Sequence, residues 1–185
     1  MSNFLKLNFD YIKKVLSEAR IDTYLEISNG NTQKALDLYV QNSLLSKHIF
    51  AAIMEFEVVL RNKIDALLSD KYGQNWLWDN KVISSKRHQE DVAKHPSKNR
   101  NKVISSVTFG FWISLFGRDY DSSLWRAALY KIGKTKKGAK RNQLRLELEK
   151  IRNLRNRIAH NESIIKYPLE NYILGIIELI KTIEP

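Results

Sequence analysis

The stretch LRLELEKIRNLRNRIAHNE, residues 144–162, predicts a long amphipathic helix that ends in a cluster of polar side chains. Its apolar residues recur at steps of three, four or seven, the spacing of one helical face. They are Leu144, Leu148, Ile151 and Ile158. Arg155 fills the heptad position between the last two, although Leu154 can carry the apolar face instead. The spacing therefore predicts a helix over about 139–160 with an arginine at the edge of its buried face.

Arg155, Asn156 and His160 lie within six residues at the end of this helix. Asn156 and His160 are four apart and are neighbours on a helix. Arg155 and His160 are offset by roughly 140°, so they act together only if the helix frays at His160 or a second subunit contributes. A structural interpretation stays open, in which His160 interacts with the helix dipole and Asn161 takes the left-handed position that ends the helix.

The composition indicates one ordinary globular domain. The chain has 185 residues, of which 43% are hydrophobic and 28% charged, so it can bury a core and is not disordered. It has no cysteine, which excludes disulfides, thiolate chemistry and cysteine-based zinc sites. The N-terminal stretch MSNFLKLNFDYIKK has no long apolar run, so we expect neither a signal peptide nor a membrane span. A cytoplasmic protein without a membrane partner is the expectation.

The charge balance favours a polyanionic partner. Lysine and arginine number 31 and acidic residues 20, which leaves a net charge of +11. Six basic residues stand without an acid in KIGKTKKGAKR (131–141), just before the motif helix. They are Lys131, Lys134, Lys136, Lys137, Lys140 and Arg141. This segment is a candidate path for an RNA backbone, and a merely solvated loop remains the alternative.

The sequence predicts an all-α fold. Seven glycines and three prolines are few breakers, and no strand alternation is evident. We expect helices from Asn8 to about Ala19, over 32–72 up to Gly73 with a possible break near Ser46, within 107–117, over 121–133, and from Pro168 to about Lys181. SNGN (28–31) predicts a turn. The region that runs to Lys102 is polar and basic and contains Pro96, and Ser97 is a candidate cap for the segment after it.

The long helix also carries charge inside its apolar face. Glu57 and Arg61 fill two positions of the apolar face, and Asn62 comes directly after them. An unpaired charge there is costly, so the two side chains either pair with each other one turn apart or Glu57 holds a guanidinium of the motif helix. Spacing alone leaves both possibilities open.

Four segments, in this order, resemble the bacterial abortive-infection (Abi) family within the HEPN superfamily of helical ribonucleases. They are RIDTYLEISNGNTQKALDLYVQNSLLS (20–46), FEVVLRNKIDALL (56–68), FGFWISLFGRDYDSSLWR (109–126) and LRNRIAHNESI (154–164). The resemblance implies an all-α, HEPN-like helical bundle. It would form one domain, with an N-terminal helical segment at 1–45 and the core at 46–185. It also implies a homodimer in which the motifs of the two subunits meet.

The resemblance further implies metal-independent RNA cleavage without a cofactor. The motif maps to Arg155, Asn156 and His160, with Glu57, Arg61 and Asn62 orienting them from behind, and Arg157 is expected to contact RNA. The chemistry suits these residue types, because RNA carries its own 2′-hydroxyl nucleophile, histidine exchanges protons near neutrality and arginine stabilises charged phosphate oxygens.

We therefore expect a toxin-like endoribonuclease of phage defence, held in check by an inhibitory small RNA or a protein antitoxin. Two alternatives stay open. One is a non-catalytic helical module that holds a structured small RNA, and the other is a dimeric scaffold whose basic loops are incidental. The basic segment suits either RNA interpretation.

Overall fold

The computed structural model describes residues 9–95, 97, 99–132 and 140–183, and the regular elements in this part are all helical. The α-helices are α1 (Phe9–Leu16), α2 (Glu18–Ile27), α3 (Thr32–Tyr72), α4 (Lys86–Ala93), α5 (Arg100–Ser106), α6 (Phe109–Ser114), α7 (Arg141–Ala159) and α8 (Leu169–Ile183). Short 3₁₀ turns occupy Trp76–Trp78, Arg118–Tyr120 and Leu129–Lys131. The all-α prediction is confirmed.

Helix α3 is the longest element and begins and ends where the sequence predicts. It runs for 41 residues without the break considered near Ser46. The turn before it places Asn29 and Gly30 at φ values of 52° and 79°. Gly73 ends it at a φ of 86°, a conformation that glycine adopts without steric cost, and its N–H donates to the Ser69 carbonyl at 2.9 Å.

The chain forms two compact units. One contains residues 9–52 and Leu154–Leu169, and the other contains Ile53–Asn153 and 170–183. The expected division at residue 45 within a single domain stays a prediction.

In the first unit, buried apolar side chains come from α1, α2, α3, the end of α7 and the segment after it. They include Ile12, Ile21, Tyr24, Leu36, Ile49, Ile158 and Ile164. Their burial fixes the helices that surround the end of the motif helix.

In the second unit, aromatic side chains form much of the core. Phe109, Phe111, Trp112 and Phe116 are buried, as their helical spacing predicts. Trp76 packs against Trp112 with ring centroids 6.3 Å apart, and its Nε1 donates to Asp65 at 2.9 Å. Arg100 also binds the Asp65 carboxylate. This half-buried acid therefore ties the end of α3 to the tryptophan turn and to α5.

The prediction of a helix over 121–133 is wrong. A π-helical turn at Asp121–Trp125 and a 3₁₀ turn at Leu129–Lys131 replace it. The Asp121 carboxylate accepts from Arg126 and Arg141, both at 2.9 Å. The side chain that would start the helix is thus held by two ion pairs, and Leu124 and Leu129 are buried from an irregular backbone.

The polar region before Lys102 includes a short helix. It contains α4, and Asn99 rather than Ser97 caps α5, because the Asn99 side chain accepts from the Lys102 N–H. The Ser97 hydroxyl accepts instead from the Asn99 N–H at 3.1 Å.

Across the part of the chain that the structure covers, no helix has both the length and the apolar character needed to span a bilayer.

Candidate active site

The motif helix α7 ends directly before His160 in a complete left-handed cap. Asn161 has a φ of 54°, and its N–H donates to the Ile158 carbonyl at 2.9 Å. The Glu162 N–H donates to the Arg157 carbonyl at 2.9 Å. These two bonds are those of a Schellman motif, with Asn161 in the position that glycine usually takes. The structural role predicted for Asn161 is therefore present, and it leaves His160 as the last residue before the chain turns away.

His160 is exposed at this cap. Its backbone N–H donates to the Asn156 carbonyl at 3.0 Å, which closes the last helical turn. The imidazole ring makes no hydrogen bond with any of the described residues. A histidine whose ring nitrogens are open to an incoming group is suited to proton transfer as well as to a helix end.

Arg157 fastens the segment after His160. Its Nε donates to the Tyr167 hydroxyl at 3.0 Å, and its Nη1 donates to Glu162 at 2.9 Å. The guanidinium carbon also lies 5.0 Å from the centroid of the Tyr167 ring. Arg157, expected to contact RNA, is thus engaged in holding residues 162–167 against the helix end.

Two residues from earlier helices hold the same segment. Asn42 of α3 is only 6% exposed, and its Oδ1 accepts from the Ile164 N–H at 2.9 Å. The Tyr24 side chain of α2 is hydrogen-bonded to Ser163. Burial raises the pKa of Tyr24, and the bond to Ser163 opposes that rise. The chain after His160 is therefore fixed from α2, α3 and α7.

Arg155 is half-buried and lies apart from this cap. Its guanidinium carbon is 5.8 Å from the centroid of the Phe50 ring, and its Nη1 donates to the Asn156 Oδ1 at 3.4 Å. The Arg155 Nε is buried and has no hydrogen-bond partner among the described residues. The prediction that Arg155 lies at the edge of the buried face is confirmed, and Asn156 beside it is exposed.

A cavity of about 420 Å³ opens beside His160, within the first compact unit. It is lined by Ser17, Ala19, Arg20, Thr23, Arg157, His160, Asn161, Glu162, Ser163, Lys166 and Tyr167. Arg155 and Asn156 do not line it. Of the motif residues, the cavity thus brings together His160 and Arg157, while Arg155 belongs to different surroundings.

The other predicted site residues lie on α3 and in the basic segment. Glu57 and Arg61 are half-buried on α3, one turn apart, and Asn62 is exposed; all three belong to the second unit. In the basic segment, Lys131 and Lys140 are exposed. Lys134, Lys136 and Lys137 lie outside the described residues.

Arg141 has a structural role. Its side chain is 16% exposed, pairs with Asp121 and donates to the Phe116 carbonyl at 2.6 Å. This arginine fixes the start of the motif helix, and its guanidinium is largely withdrawn from solvent.

The second unit holds a polar network that the sequence did not single out. His88 Nδ1 is hydrogen-bonded to the Tyr120 hydroxyl, and Nε2 to the Ser114 Oγ, both at 2.8 Å. The Tyr120 hydroxyl also accepts from the Ser85 N–H at 3.3 Å. Burial lowers the pKa of His88 and raises that of Tyr120. Both ring nitrogens of His88 are committed to structure, so this histidine is a poorer candidate for chemistry than His160.

No group of three or more histidine and acidic side chains among the described residues is placed to hold a metal ion. In comparisons with known proteins, the model of the Abi-like protein family matches residues 2–166, and the chain belongs to this family. No curated protein and no solved structure matches the chain. Family membership associates the protein with abortive infection.

Proposed function

We propose that this member of the Abi-like protein family is an endoribonuclease of the HEPN type and a toxin-like effector of phage defence. The observation that carries the proposal is the placement of His160. Its ring is exposed at a helix cap, bonded to none of the described residues, and lines a cavity with three cationic side chains. An imidazole in that setting can exchange a proton with a bound phosphodiester.

The reaction needs only groups that the chain and the RNA supply. A base removes the proton of the 2′-hydroxyl, and the 2′-oxygen forms a bond to phosphorus. The bond from phosphorus to the 5′-oxygen breaks, and an acid protonates that leaving oxygen. The products are a 2′,3′-cyclic phosphate and a free 5′-hydroxyl. His160 fills the role of base or acid, because an imidazole nitrogen can accept a proton and an imidazole N–H can donate one.

Arg155 would stabilise the negative charge that builds up on the phosphorane. Its guanidinium is pre-oriented by Phe50 and by Asn156, so little reorganisation is needed at the moment of reaction. Asn156 would orient the phosphate or the imidazole.

The separation of Arg155 from the His160 cavity favours a two-fold pair of chains. In such a homodimer the motifs meet, and two histidines supply a base and an acid. Glu57, Arg61 and Asn62 keep the supporting role that the sequence predicts for them as part of this proposal.

RNA would reach the site along exposed cations near the motif helix. Lys131 and Lys140 are exposed at the two ends of the basic segment. Lys134, Lys136 and Lys137 come between them in the sequence. An inhibitory small RNA or a protein antitoxin would keep such an activity silent by covering the same surface.

The test is digestion of mixed cellular RNA in EDTA by the wild-type protein and by a variant with Arg155→Ala and His160→Ala. His48→Gln is the matched control, since His48 is also exposed but its Nδ1 binds its own helix at the Leu44 carbonyl. We expect the wild type and the control to cut and the double variant not to cut. New fragments should end in 2′,3′-cyclic phosphate.

Fragments ending in a 3′-hydroxyl would contradict the mechanism. If neither the wild type nor the variant cuts although both bind RNA with equal affinity, the non-catalytic RNA-binding alternative replaces the proposal. Protein preparations freed of nucleic acid are needed for that comparison, because a co-purified inhibitory RNA would mask cleavage.

A further inference from the structure

The cavity beside His160 contains two cations for which the described chain provides no acidic partner. Arg20 of α2 and Lys166 are exposed, and neither forms an ion pair with a described residue. The acid that lines the cavity, Glu162, is held by Arg157 at 2.9 Å. The acids next to Arg20 in sequence, Glu18 and Asp22, both lie near Lys13.

The lining therefore has an excess of two positive charges. Arg20, Arg157 and Lys166 face a single carboxylate. Besides His160 and Asn161, the remaining polar wall consists of hydroxyl-bearing side chains, Ser17, Thr23, Ser163 and Tyr167. Cations and hydroxyls are the side chains that bind phosphate and sugar oxygens in nucleic acids, without reading the base.

The size of the cavity also limits its occupant. At about 420 Å³ it lies near the lower end of the range for small-ligand sites, enough for one nucleotide and too small for a folded duplex. Its wall combines α2 with the segment after α7, and Asn42 and Tyr24 hold that segment in place. The cavity is therefore open to solvent, and one of its walls is held in place by bonds within the unit.

We propose that this cavity binds the nucleotide next to the scissile phosphate in a single-stranded RNA, with Arg20 and Lys166 on its flanking phosphate. The inference rests on the proposed function only where it says that the neighbouring phosphate is cleaved. Binding of the nucleotide can be tested without cleavage. It assigns a binding role to α2, which lies outside the motif helix. Arg20 and Lys166 are positioning residues that place the RNA against His160, and His160 alone of the three exchanges protons.

Binding is measured by fluorescence anisotropy with a short single-stranded RNA in which every ribose is 2′-O-methylated. The methyl groups remove the attacking hydroxyl, so affinity is read separately from cleavage. The variants are Arg20→Ala and Lys166→Ala. Arg118→Ala and Lys14→Ala are matched controls, because both side chains are exposed and lie outside the cavity.

Each cavity variant should weaken binding about fivefold. It should also make the negative slope of log affinity against log salt less steep by about 0.7, the value for one phosphate contact on a single strand. The controls should leave both quantities unchanged. Equal affinities and equal slopes for cavity and control variants would overturn the proposal. Equal affinity for a nucleoside monophosphate and for the RNA would also overturn it, since the cavity would then be a free-nucleotide site.

Cleavage by the same variants separates this inference from the proposed function. If the wild type cuts RNA, Arg20→Ala and Lys166→Ala should raise KM and leave kcat near the wild-type value. If kcat falls and KM does not change, the two residues do not position substrate. If the wild type does not cut but the variants bind the methylated RNA more weakly, the nucleotide site stands while the nuclease proposal fails.

Discussion

Replacing Asn42 by alanine tests how strongly the segment after His160 depends on one buried hydrogen bond. The Asn42 Oδ1 accepts from the Ile164 N–H at 2.9 Å, and Ile164 is fully buried. In the variant that N–H loses its acceptor where water has little access. A buried donor without a partner costs about 1–3 kcal/mol, so we expect a loss of about 2 kcal/mol in the free energy of unfolding. For a chain of this length, that loss lowers Tm by about 4–8 °C.

The assay is urea unfolding followed by circular dichroism, with Gln41→Ala as the control. Gln41 is the exposed neighbour of Asn42 on the same helix, so its truncation should change stability by less than about 0.5 kcal/mol. RNA cleavage is then measured well below the lowered Tm, where the variant is folded. Because Ile164 comes after the cap that holds His160, we expect a cleavage rate about tenfold lower.

Two results would refute this reasoning. A stability loss below about 0.5 kcal/mol would mean that the Ile164 N–H finds another acceptor at little cost. An unchanged cleavage rate in a destabilised variant would mean that the segment does not position His160.

Three further substitutions test other features of the structure. Asp65→Ala should lower the free energy of unfolding by about 2 kcal/mol in urea, because Arg100 is left half-buried without its acid. Asn161→Gly should keep or slightly raise stability, whereas Asn161→Ala should cost about 1 kcal/mol, because the φ of 54° suits glycine better. His88→Gln should flatten the dependence of Tm on pH, because burial lowers the pKa of His88 in the folded state. The unfolded chain then binds more protons, so wild-type stability declines as the pH falls below about 6.5.

The controls for these substitutions are nearby exposed residues of the same type. Asp70→Ala should leave urea stability unchanged, and Asn153→Gly, inside α7, should destabilise because glycine is unfavourable in a helix interior. A Tm for wild type that does not fall more steeply than that of His88→Gln between about pH 7 and 5 would contradict the assignment of the lowered pKa.

Long elements were predictable from sequence because their own pattern specifies them. Helix α3 has a turn before it, Gly73 after it and apolar residues along one face, and the observed bounds match the expected ones. The motif helix was predicted to within about two residues for the same reason.

Elements that depend on distant partners were not predictable. Helix α4 contains a single fully buried apolar residue, Val92, and is anchored by His88 and Gln89 through bonds to other segments. The residues of the stretch 121–133 favour a helix, but the Asp121 carboxylate accepts a hydrogen bond from Arg141, twenty residues further along. Local pattern carries no information about such partners.

The candidate site also contains both residues that local sequence predicts and residues whose role depends on distant partners. The motif residues and the left-handed cap at Asn161 could be read from the local sequence. Asn42 could not, because its partner is 122 residues away and the residue looks like any polar position of a long helix. Arg20 was also missed, since it lies outside the motif and only the folded chain places it on the cavity beside His160.

The central claim is that His160 transfers a proton during RNA cleavage, and single-turnover kinetics test it most directly. A substrate with one mapped cleavage site is cut by the wild type, by His160→Gln and by the exposed-histidine control His48→Gln, all verified to be equally folded. We expect His160→Gln to be slower by about 10²–10⁴-fold, as for loss of a general acid or base, and the control to match the wild type. A rate for His160→Gln within about twofold of the wild type would contradict the claim.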